Sequence, residues 1–208
     1  MSENQTVLIT GASGGIGLEF AKIFFSKGYN LILISRDRQK LQEVKESLTN
    51  GSSQSIAIIP CDLSQDKSAQ NLYNQCKADE LAPDILVNNA GFGMHGEHVD
   101  LSVSEVENMI NLNILSLTSL CGLFGRDMKK RKSGFILNVA STGAYQPTPY
   151  HGAYAATKSY VLNFSEALAK ELEDYGVTVT CLSPGATDTD FFIRSGIGDV
   201  MTGFFAKK

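Results

Sequence analysis

Residues 6–17 read TVLITGASGGIG, and this stretch decides the fold. Its first five residues are apolar or β-branched, which predicts a strand, and an apolar helical pattern follows over residues 16–27. Four glycines lie in the turn between strand and helix and at the start of the helix, at Gly11, Gly14, Gly15 and Gly17. A glycine-rich turn at a helix N-terminus presents backbone N–H groups that bind anions such as a dinucleotide pyrophosphate. The alternative is a turn that binds nothing.

Five further apolar runs predict strands, at residues 30–35, 55–60, 84–88, 135–139 and 177–182. Each run is continuous rather than alternating, which is typical of parallel strands buried on both faces. Helical patterns separate the runs, and the two longest cover residues 102–131 and 152–175. We therefore expect an α/β fold, a doubly wound parallel sheet (Rossmann fold) of six strands, in a single domain over residues 1–208.

Composition excludes several classes of protein. The 208 residues carry 18 Lys and Arg against 22 Asp and Glu, so there is no basic surplus for binding nucleic acid. The basic cluster at residues 129–132 is interpreted as the solvated end of a helix. No stretch approaches 18 uninterrupted apolar residues, and the N-terminus does not resemble a secretory signal. We expect a cytoplasmic protein that binds neither membrane nor nucleic acid.

Polar residues follow the second and third strands. Ser35 and Arg36 lie where a Rossmann fold contacts the adenosine ribose, about 20 residues after the glycine-rich turn. A cation at the start of a helix is unfavourable unless an anion offsets it, so we interpret Arg36, helped by Ser35 and with Arg38 as a further candidate, as binding the 2′-phosphate of NADP(H). The alternative is a solvated arginine. Asp62 is either a contact for the adenine amino group or a helix N-cap.

Tyr154 and Lys158 lie one helical turn apart, so their side chains share one face of the helix. They follow a strand that leads into Ser141, at the edge where open α/β sheets bind ligands. Tyr73 and Lys77 have the same spacing but follow no such strand, so they are interpreted as surface and packing residues.

Taken together, these motifs resemble the short-chain dehydrogenase/reductase family, and within it the bacterial NADP-type reductases. The matching residues, in chain order, are Thr10-Gly11-x-x-x-Gly15-Ile16-Gly17, Asn88-Asn89-Ala90-Gly91, Asn113, Ser141, Tyr154-x-x-x-Lys158 and Pro184-Gly185-x-x-x-Thr189. The resemblance covers residues 6–192. It implies an oxidoreductase that transfers a hydride between NADP(H) and a ketone, aldehyde or secondary alcohol, and that forms a homodimer or homotetramer through the two long helices.

The resemblance also implies roles for the catalytic residues. Tyr154 is the expected general acid and base, and Ser141 is expected to hydrogen-bond the substrate carbonyl. Lys158 is expected to favour the phenolate of Tyr154 and to bind the nicotinamide ribose. Asn113 is expected to interrupt its helix and to hold a water that relays protons to Lys158, with Asn111 as the competing candidate.

Cofactor contacts are expected from the motif residues and from the polar strand ends. They are Gly11, Ser13, Gly14, Gly15, Ile16, Gly17, Ser35, Arg36, Asp62, Asn89, Ala90, Gly91, Tyr154, Lys158, Pro184, Gly185 and Thr189. Among residues 88–91, Asn89 and Gly91 are expected to lie closest to the cofactor.

Other residues near the site support weaker hypotheses. His95 and His98 have no further ligand at a suitable spacing, so we expect no metal. His151 is either a substrate contact or a surface residue. Residues 191–193 are either an apolar lid or a packed helix, and with Phe92, Met94 and Tyr150 they predict a substrate with a hydrophobic body.

Only 24 residues follow Pro184. That is too few for a lid and for the last helix and seventh strand of the family, so we expect that helix and strand to be missing. The alternative to an enzyme is a non-catalytic NADP(H)-binding sensor or interaction protein.

Overall fold

The computed structural model describes residues 5–49 and 53–187. The strands are β1 (Thr6–Thr10), β2 (Asn30–Ser35), β3 (Ile56–Pro60), β4 (Ile85–Asn88), β5 (Gly134–Val139) and β6 (Val177–Leu182). The helices are α1 (Gly15–Ser26), α2 (Arg38–Leu48), α3 (Ser68–Ala78), α4 (Val103–Ile110), α5 (Leu117–Arg131) and α6 (Gly152–Leu172).

All six strands are parallel and form one sheet in the order β3-β2-β1-β4-β5-β6. The chain runs outward from β1 to β3, crosses back to β4 and continues outward to β6. The predicted doubly wound sheet is therefore confirmed. The reversal between β1 and β4 opens a crevice at the carboxyl edge, which is where such sheets bind ligands.

Both faces of the sheet are covered, which explains the continuous apolar runs. Leu8 of β1 belongs to a buried cluster with side chains of α3, α5 and α6. Its neighbours Val7 and Ile9 face the opposite way and pack with side chains of α1 and α2. Burying each such side chain contributes about 1.5–3 kcal/mol, so the two clusters fix both the sheet and its carboxyl edge.

The long helix predicted over residues 102–131 is continuous but not uniform. A π-helical segment (Asn111–Ser116) joins α4 to α5. The second predicted long helix consists of α6 and a 3₁₀ turn, Glu173–Tyr175. π-Helical segments frequently mark functional sites, so the interruption draws attention to the residues within it.

The helical stretch Val103–Arg131 is the one segment in the described part of the chain that is long and apolar enough to cross a membrane. The sequence prediction against such a segment relied on uninterrupted apolar runs, which is a narrower criterion. Length and average hydropathy alone are weak evidence, because core helices meet them too. Here Leu120 and Phe124 of this stretch are buried in the core.

Several predictions concern residues 188–208, which lie outside the described residues. They are the contact from Thr189, the lid at residues 191–193, and the missing last helix and seventh strand of the family.

Candidate active site

A cleft of about 930 Å³ runs along the carboxyl edge of the sheet. The predicted site residues that line it are Gly11, Ser13, Gly14, Gly15, Ile16, Ser35, Arg36, Asp62, Asn89, Ala90, Gly91, Ser141, Tyr154, Lys158, Pro184 and Gly185. The predicted residues Gly17 and Asn113 lie behind the wall of the cleft, where they support residues that line it.

Three glycines in and just after the first turn have different steric surroundings. Gly11 has a φ of +67°, a left-handed conformation that favours glycine. Gly17 lies against Gly11, and a Cβ on Gly17 would come 2.2 Å from the Gly11 carbonyl oxygen. A Cβ on Gly14, by contrast, would meet nothing within 4 Å. The turn is therefore tightly packed behind the cleft and open on the side that faces it.

Thr10 connects this turn to the end of β4. Its hydroxyl accepts hydrogen bonds from the backbone N–H groups of Asn89 (3.0 Å) and Ala90 (2.9 Å). Asn89 Nδ2 donates to the Thr10 carbonyl at 2.9 Å and to the Gly11 carbonyl at 3.3 Å. The amide donor of Asn89 thus holds the turn, and its expected contact with the cofactor stays a prediction.

Asn88 lies in the core and not on the floor of the cleft. It is 3% exposed, and its Nδ2 donates to Asn138 Oδ1 of β5 at 2.9 Å. This hydrogen bond ties β4 to β5 beneath the site.

At the other end of the cleft, two serines meet across β1 and β2. Ser13 Oγ and Ser35 Oγ are 2.7 Å apart. The Arg36 side chain beside them is exposed and has no hydrogen-bond partner among the described residues. This corner offers hydroxyls and an exposed cation to an anion.

Asp62 stabilises a turn after β3 and is not a helix N-cap. Its carboxylate accepts hydrogen bonds from the Ser64 backbone N–H (3.0 Å) and the Ser64 hydroxyl (2.7 Å), whereas α3 begins after Lys67. Burial acts to raise the pKa of Asp62, but the hydrogen bonds from Ser64 and Gln65 and the charge of Arg36 lower it overall. The carboxylate is therefore ionised at neutral pH beside the cleft.

Ser141 and Tyr154 meet at the middle of the cleft. Ser141 accepts a hydrogen bond from the Gly143 backbone N–H at 3.1 Å, which fixes its side chain at the start of a 3₁₀ turn. Tyr154 is hydrogen-bonded to Ser141. Burial raises the pKa of Tyr154 and the Ser141 hydrogen bond lowers it, with a net increase. The phenol is consequently protonated at neutral pH.

Lys158 is buried one helical turn after Tyr154, with only 4% of its surface exposed. Its Nζ donates to the Val139 carbonyl at 2.8 Å and lies 5.8 Å from the centre of the Tyr154 ring. Burial lowers the pKa of Lys158 to about 8, against a smaller raising effect of Cys181. Burial is the largest effect on the pKa of Tyr154, and the expected stabilisation of the phenolate by the Lys158 ammonium stays a prediction.

Asn113 is completely buried within the π-helical segment. Its Nδ2 donates to the Phe92 carbonyl (2.9 Å) and to Thr157 Oγ1 (3.0 Å), and its Oδ1 accepts from the Phe92 backbone N–H (3.2 Å). The side chain thus joins the loop after β4 to α6 and fixes both beside Lys158. Asn111, the competing candidate, is only partly buried.

The loop after β6 borders the nicotinamide end expected from the sequence. Its Pro184 carbonyl accepts a hydrogen bond from the Thr142 backbone N–H at 2.9 Å, so this loop is tied to the residue after Ser141. Pro184 and Gly185 line the cleft, as does Thr187 at the end of the described residues.

Comparison with known proteins agrees with this geometry. The family model described as short chain dehydrogenase matches residues 5–197. The chain belongs to the short-chain dehydrogenase family. A curated relative, the 3-oxoacyl-[acyl-carrier-protein] reductase of Chlamydia trachomatis, is 30% identical over 187 residues, which is 90% of this chain and 75% of the relative. The chain spans 62% and 52% of the lengths of the next two curated relatives.

Solved structures of short-chain dehydrogenases have the same fold. An enzyme from Sphingobium yanoikuyae in complex with NADPH has a TM-score of 0.88 and 33% identity, over 93% of this chain and 75% of that chain. A 4-hydroxyisoleucine dehydrogenase complexed with NADH has a TM-score of 0.80 and 26% identity, over 92% of this chain and 79% of that chain. Both nicotinamide cofactors therefore occur among the structural relatives.

Sequence reasoning missed part of the cleft of this short-chain dehydrogenase. The additional polar residues in its wall are Ser64, Gln65, Glu105, Asn108, Thr142, Gln146, Thr148 and Thr187, whereas His151, named above as a candidate substrate contact, also lines the cleft. Ser64 and Gln65 follow Asp62 directly, and that adjacency was an available signal. The others come from loops and from α4, and no spacing in the sequence indicates that they converge.

The predicted apolar pocket can be followed only through Phe92, Met94 and Tyr150, because residues 191–193 lie outside the described residues. Phe92 lines the cleft, but Met94 and Tyr150 are absent from its wall, and Tyr150 is exposed. Tyr73 and Lys77 also lie outside the cleft, and both bind Asp127, at 2.9 and 3.4 Å.

Proposed function

We propose that this short-chain dehydrogenase is an NADP(H)-dependent oxidoreductase that transfers a hydride between the cofactor and a ketone, aldehyde or secondary alcohol. The observation that carries the proposal is the Tyr154 phenol, hydrogen-bonded to Ser141 in the cleft, with Lys158 one turn away.

The residues present fit a dinucleotide. The backbone of the turn is open above Gly14, where no Cβ contact exists within 4 Å, and the dipole of α1 favours a pyrophosphate there. Arg36, with the Ser13 and Ser35 hydroxyls, suits a 2′-phosphate, and the ionised Asp62 suits the adenine amino group. When bound, reduced NADP supplies the hydride.

The proton chemistry belongs to the chain itself. A phenol whose pKa is raised keeps its proton at neutral pH, which suits a general acid that donates to a developing alkoxide. The Ser141 hydroxyl is near enough to Tyr154 to orient the same carbonyl oxygen and to stabilise its negative charge. Lys158, held by the Val139 carbonyl, provides a buried cation or proton carrier behind the phenol. Asn113 holds the surrounding backbone in place.

The decisive experiment measures the loss of NADPH absorbance across a panel of ketones and aldehydes, with Tyr154→Phe as the matched variant. We expect turnover in the wild type and a loss of about 10²–10⁴-fold in Tyr154→Phe, the range typical of a general acid. Tight NADPH binding without turnover on any carbonyl would favour the alternative, a non-catalytic NADP(H)-binding sensor.

Cofactor preference is tested with Arg36→Ala. We expect the Kd for NADPH to rise about tenfold to hundredfold, because hydrogen bonds to charged groups contribute about 1.5–3 kcal/mol, while the Kd for NADH changes little. Arg38→Ala is the control, because Arg38 begins α2 and does not line the cleft. Equal weakening of both cofactors by Arg36→Ala would contradict the assignment to the 2′-phosphate.

We also infer a cytoplasmic homodimer or homotetramer formed through the long helices. The support is exposed apolar surface on and near them, with Val103 73%, Leu115 57% and Tyr160 39% exposed. Leu115→Glu should shift the mass measured by light scattering toward the monomer. Ile23→Glu is the control, because Ile23 is 49% exposed on α1. An unchanged mass in Leu115→Glu would contradict this interface.

A further inference from the structure

A pair of histidines stands at the substrate end of the cleft, next to Tyr154. His151 immediately precedes α6, is partly buried and lines the cleft. Its ring centre lies 6.3 Å from that of Tyr154 and 4.9 Å from that of His95, in edge-to-face arrangements. The ring therefore lies beside the group proposed to protonate the substrate.

The loops that carry this pair are tied together. The Gly96 backbone N–H donates to the Tyr150 carbonyl at 2.9 Å, and the His151 backbone N–H donates to the Thr148 carbonyl at 3.1 Å. These bonds connect the loop of His95 to the loop that leads into α6. His151 is consequently held in place, as a specificity-determining group needs to be.

The hydrogen-bonding capacity of His151 is partly used. Burial and the neighbouring His95 lower the pKa of His151, and a hydrogen bond with the Met94 backbone opposes them, so the imidazole is neutral at pH 7. A neutral imidazole has one nitrogen that donates and one that accepts, so His151 can offer an acceptor to a group in the cleft.

We propose that His151 is a specificity-determining residue that accepts a hydrogen bond from a hydroxyl next to the reacting carbon of the substrate. The preferred substrates are thus α-hydroxy ketones in reduction and vicinal diols in oxidation. The inference rests on the proposed function and adds the substrate class. Gln146 and Thr148 in the same wall supply further polar groups around this hydroxyl.

The experiment compares three ketones of one shape with NADPH: 2-hydroxycyclohexanone, 2-methoxycyclohexanone and cyclohexanone. The open-chain set is 3-hydroxy-2-butanone, 3-methoxy-2-butanone and 2-butanone. The methoxy compounds keep the oxygen but cannot donate a hydrogen bond. We expect kcat/KM for each hydroxy compound to be about tenfold higher than for the methoxy and unsubstituted ketones of its set. This factor corresponds to one neutral hydrogen bond.

His151→Phe keeps a ring but removes the acceptor, so the preference for the hydroxy compounds should fall about tenfold, mainly through KM. His151→Gln provides an amide oxygen as acceptor and should therefore recover part of the preference for the hydroxy compounds. His98→Phe is the control: His98 is exposed and lies outside the cleft wall, so this variant should keep the wild-type preference.

The outcomes separate this inference from the proposed function. Turnover of all six ketones with no preference for the hydroxy compounds, or a preference unchanged in His151→Phe, overturns the role of His151 alone. If the hydroxy and methoxy compounds are preferred equally over the unsubstituted ketones, the assignment of His151 as a hydrogen-bond acceptor is wrong. No turnover of the six by an enzyme that reduces other carbonyls of the panel overturns this inference alone, whereas NADPH binding without turnover on any carbonyl overturns the proposed function, and this inference falls with it.

Discussion

The contact between Gly17 and Gly11 makes a strong prediction for Gly17→Ala. The new Cβ would lie 2.2 Å from the Gly11 carbonyl oxygen, 2.8 Å from the Gly11 carbonyl carbon and 2.5 Å from Asn89 Nδ2. Real Cβ atoms do not approach other atoms this closely, and two of the three neighbours are backbone atoms that cannot rotate away. The turn between β1 and α1 must therefore move away from the helix.

The magnitude follows from two opposing effects. Overpacking of this kind costs about 1–3 kcal/mol, whereas Ala in place of Gly inside a helix stabilises by about 0.5–1 kcal/mol. Gly122→Ala isolates the second effect, because Gly122 lies within α5 and a Cβ there meets nothing within 4 Å. Because both glycines lie in helices, the gain from Ala is common to the two variants, and they should differ by the overpacking cost, about 1–3 kcal/mol in the free energy of unfolding.

Thermal unfolding and NADPH titration measure both consequences. For a chain of this length the difference corresponds to a gap of roughly 2–12 °C in Tm, with Gly17→Ala below the wild type and Gly122→Ala at or above it. Because Gly11 lines the cleft, Gly17→Ala should also weaken NADPH binding, and Gly122→Ala should not. A Gly17→Ala protein that melts at or above the wild-type Tm would refute the reasoning.

Three further predictions concern buried polar groups. Asn113→Ala removes three hydrogen bonds and leaves buried groups without partners, so urea unfolding should show a loss of about 3 kcal/mol; exposed Asn71→Ala should change little. Thr10→Val removes the acceptor of two backbone N–H groups and should cost about 2 kcal/mol, whereas Thr10→Ser should recover most of it. The pKa of Lys158, about 8 when folded against an ordinary 10.5, means that the unfolded chain binds more protons between these pH values. The free energy of unfolding without cofactor should therefore rise by about 3 kcal/mol from pH 8 to 10.5, relative to Lys158→Met, and parallel pH curves would contradict the lowered pKa.

The sheet could be predicted from the sequence because each strand is buried on both faces. Continuous apolar runs such as residues 30–35 are hard to place anywhere except inside a two-faced parallel sheet, and the structure pairs all six runs in that way. Helix ends were equally readable: the basic last turn of α5 stops at Lys132, whose φ is +55°. These signals are local or periodic, so a single sequence is enough to detect them.

The orientation of side chains in the turns could not be predicted in this way. The amide nitrogen of Asn89 donates to the Thr10 and Gly11 carbonyls, a bond to the turn that residue spacing did not indicate. Asp62 does not cap a helix but accepts hydrogen bonds from Ser64 within its own turn, and its contact with adenine stays a prediction. Asn and Asp side chains can hydrogen-bond nearby backbone groups as well as a ligand. Which bond forms depends on interatomic distances that residue spacing does not encode.

The pKa values of the central pair depend on what fills the cleft, and this links the fold to the chemistry. Without cofactor, burial disfavours both the phenolate form of Tyr154 and the ammonium form of Lys158. It therefore raises the pKa of Tyr154 and lowers the pKa of Lys158. With a pKa of about 8, Lys158 still carries its charge at pH 7 and can stabilise the phenolate that remains when Tyr154 donates its proton. Reduction starts from the protonated phenol, which burial favours, whereas alcohol oxidation needs the phenol to lose its proton first. This asymmetry leads us to expect that alcohol oxidation rises with pH over a range in which ketone reduction does not.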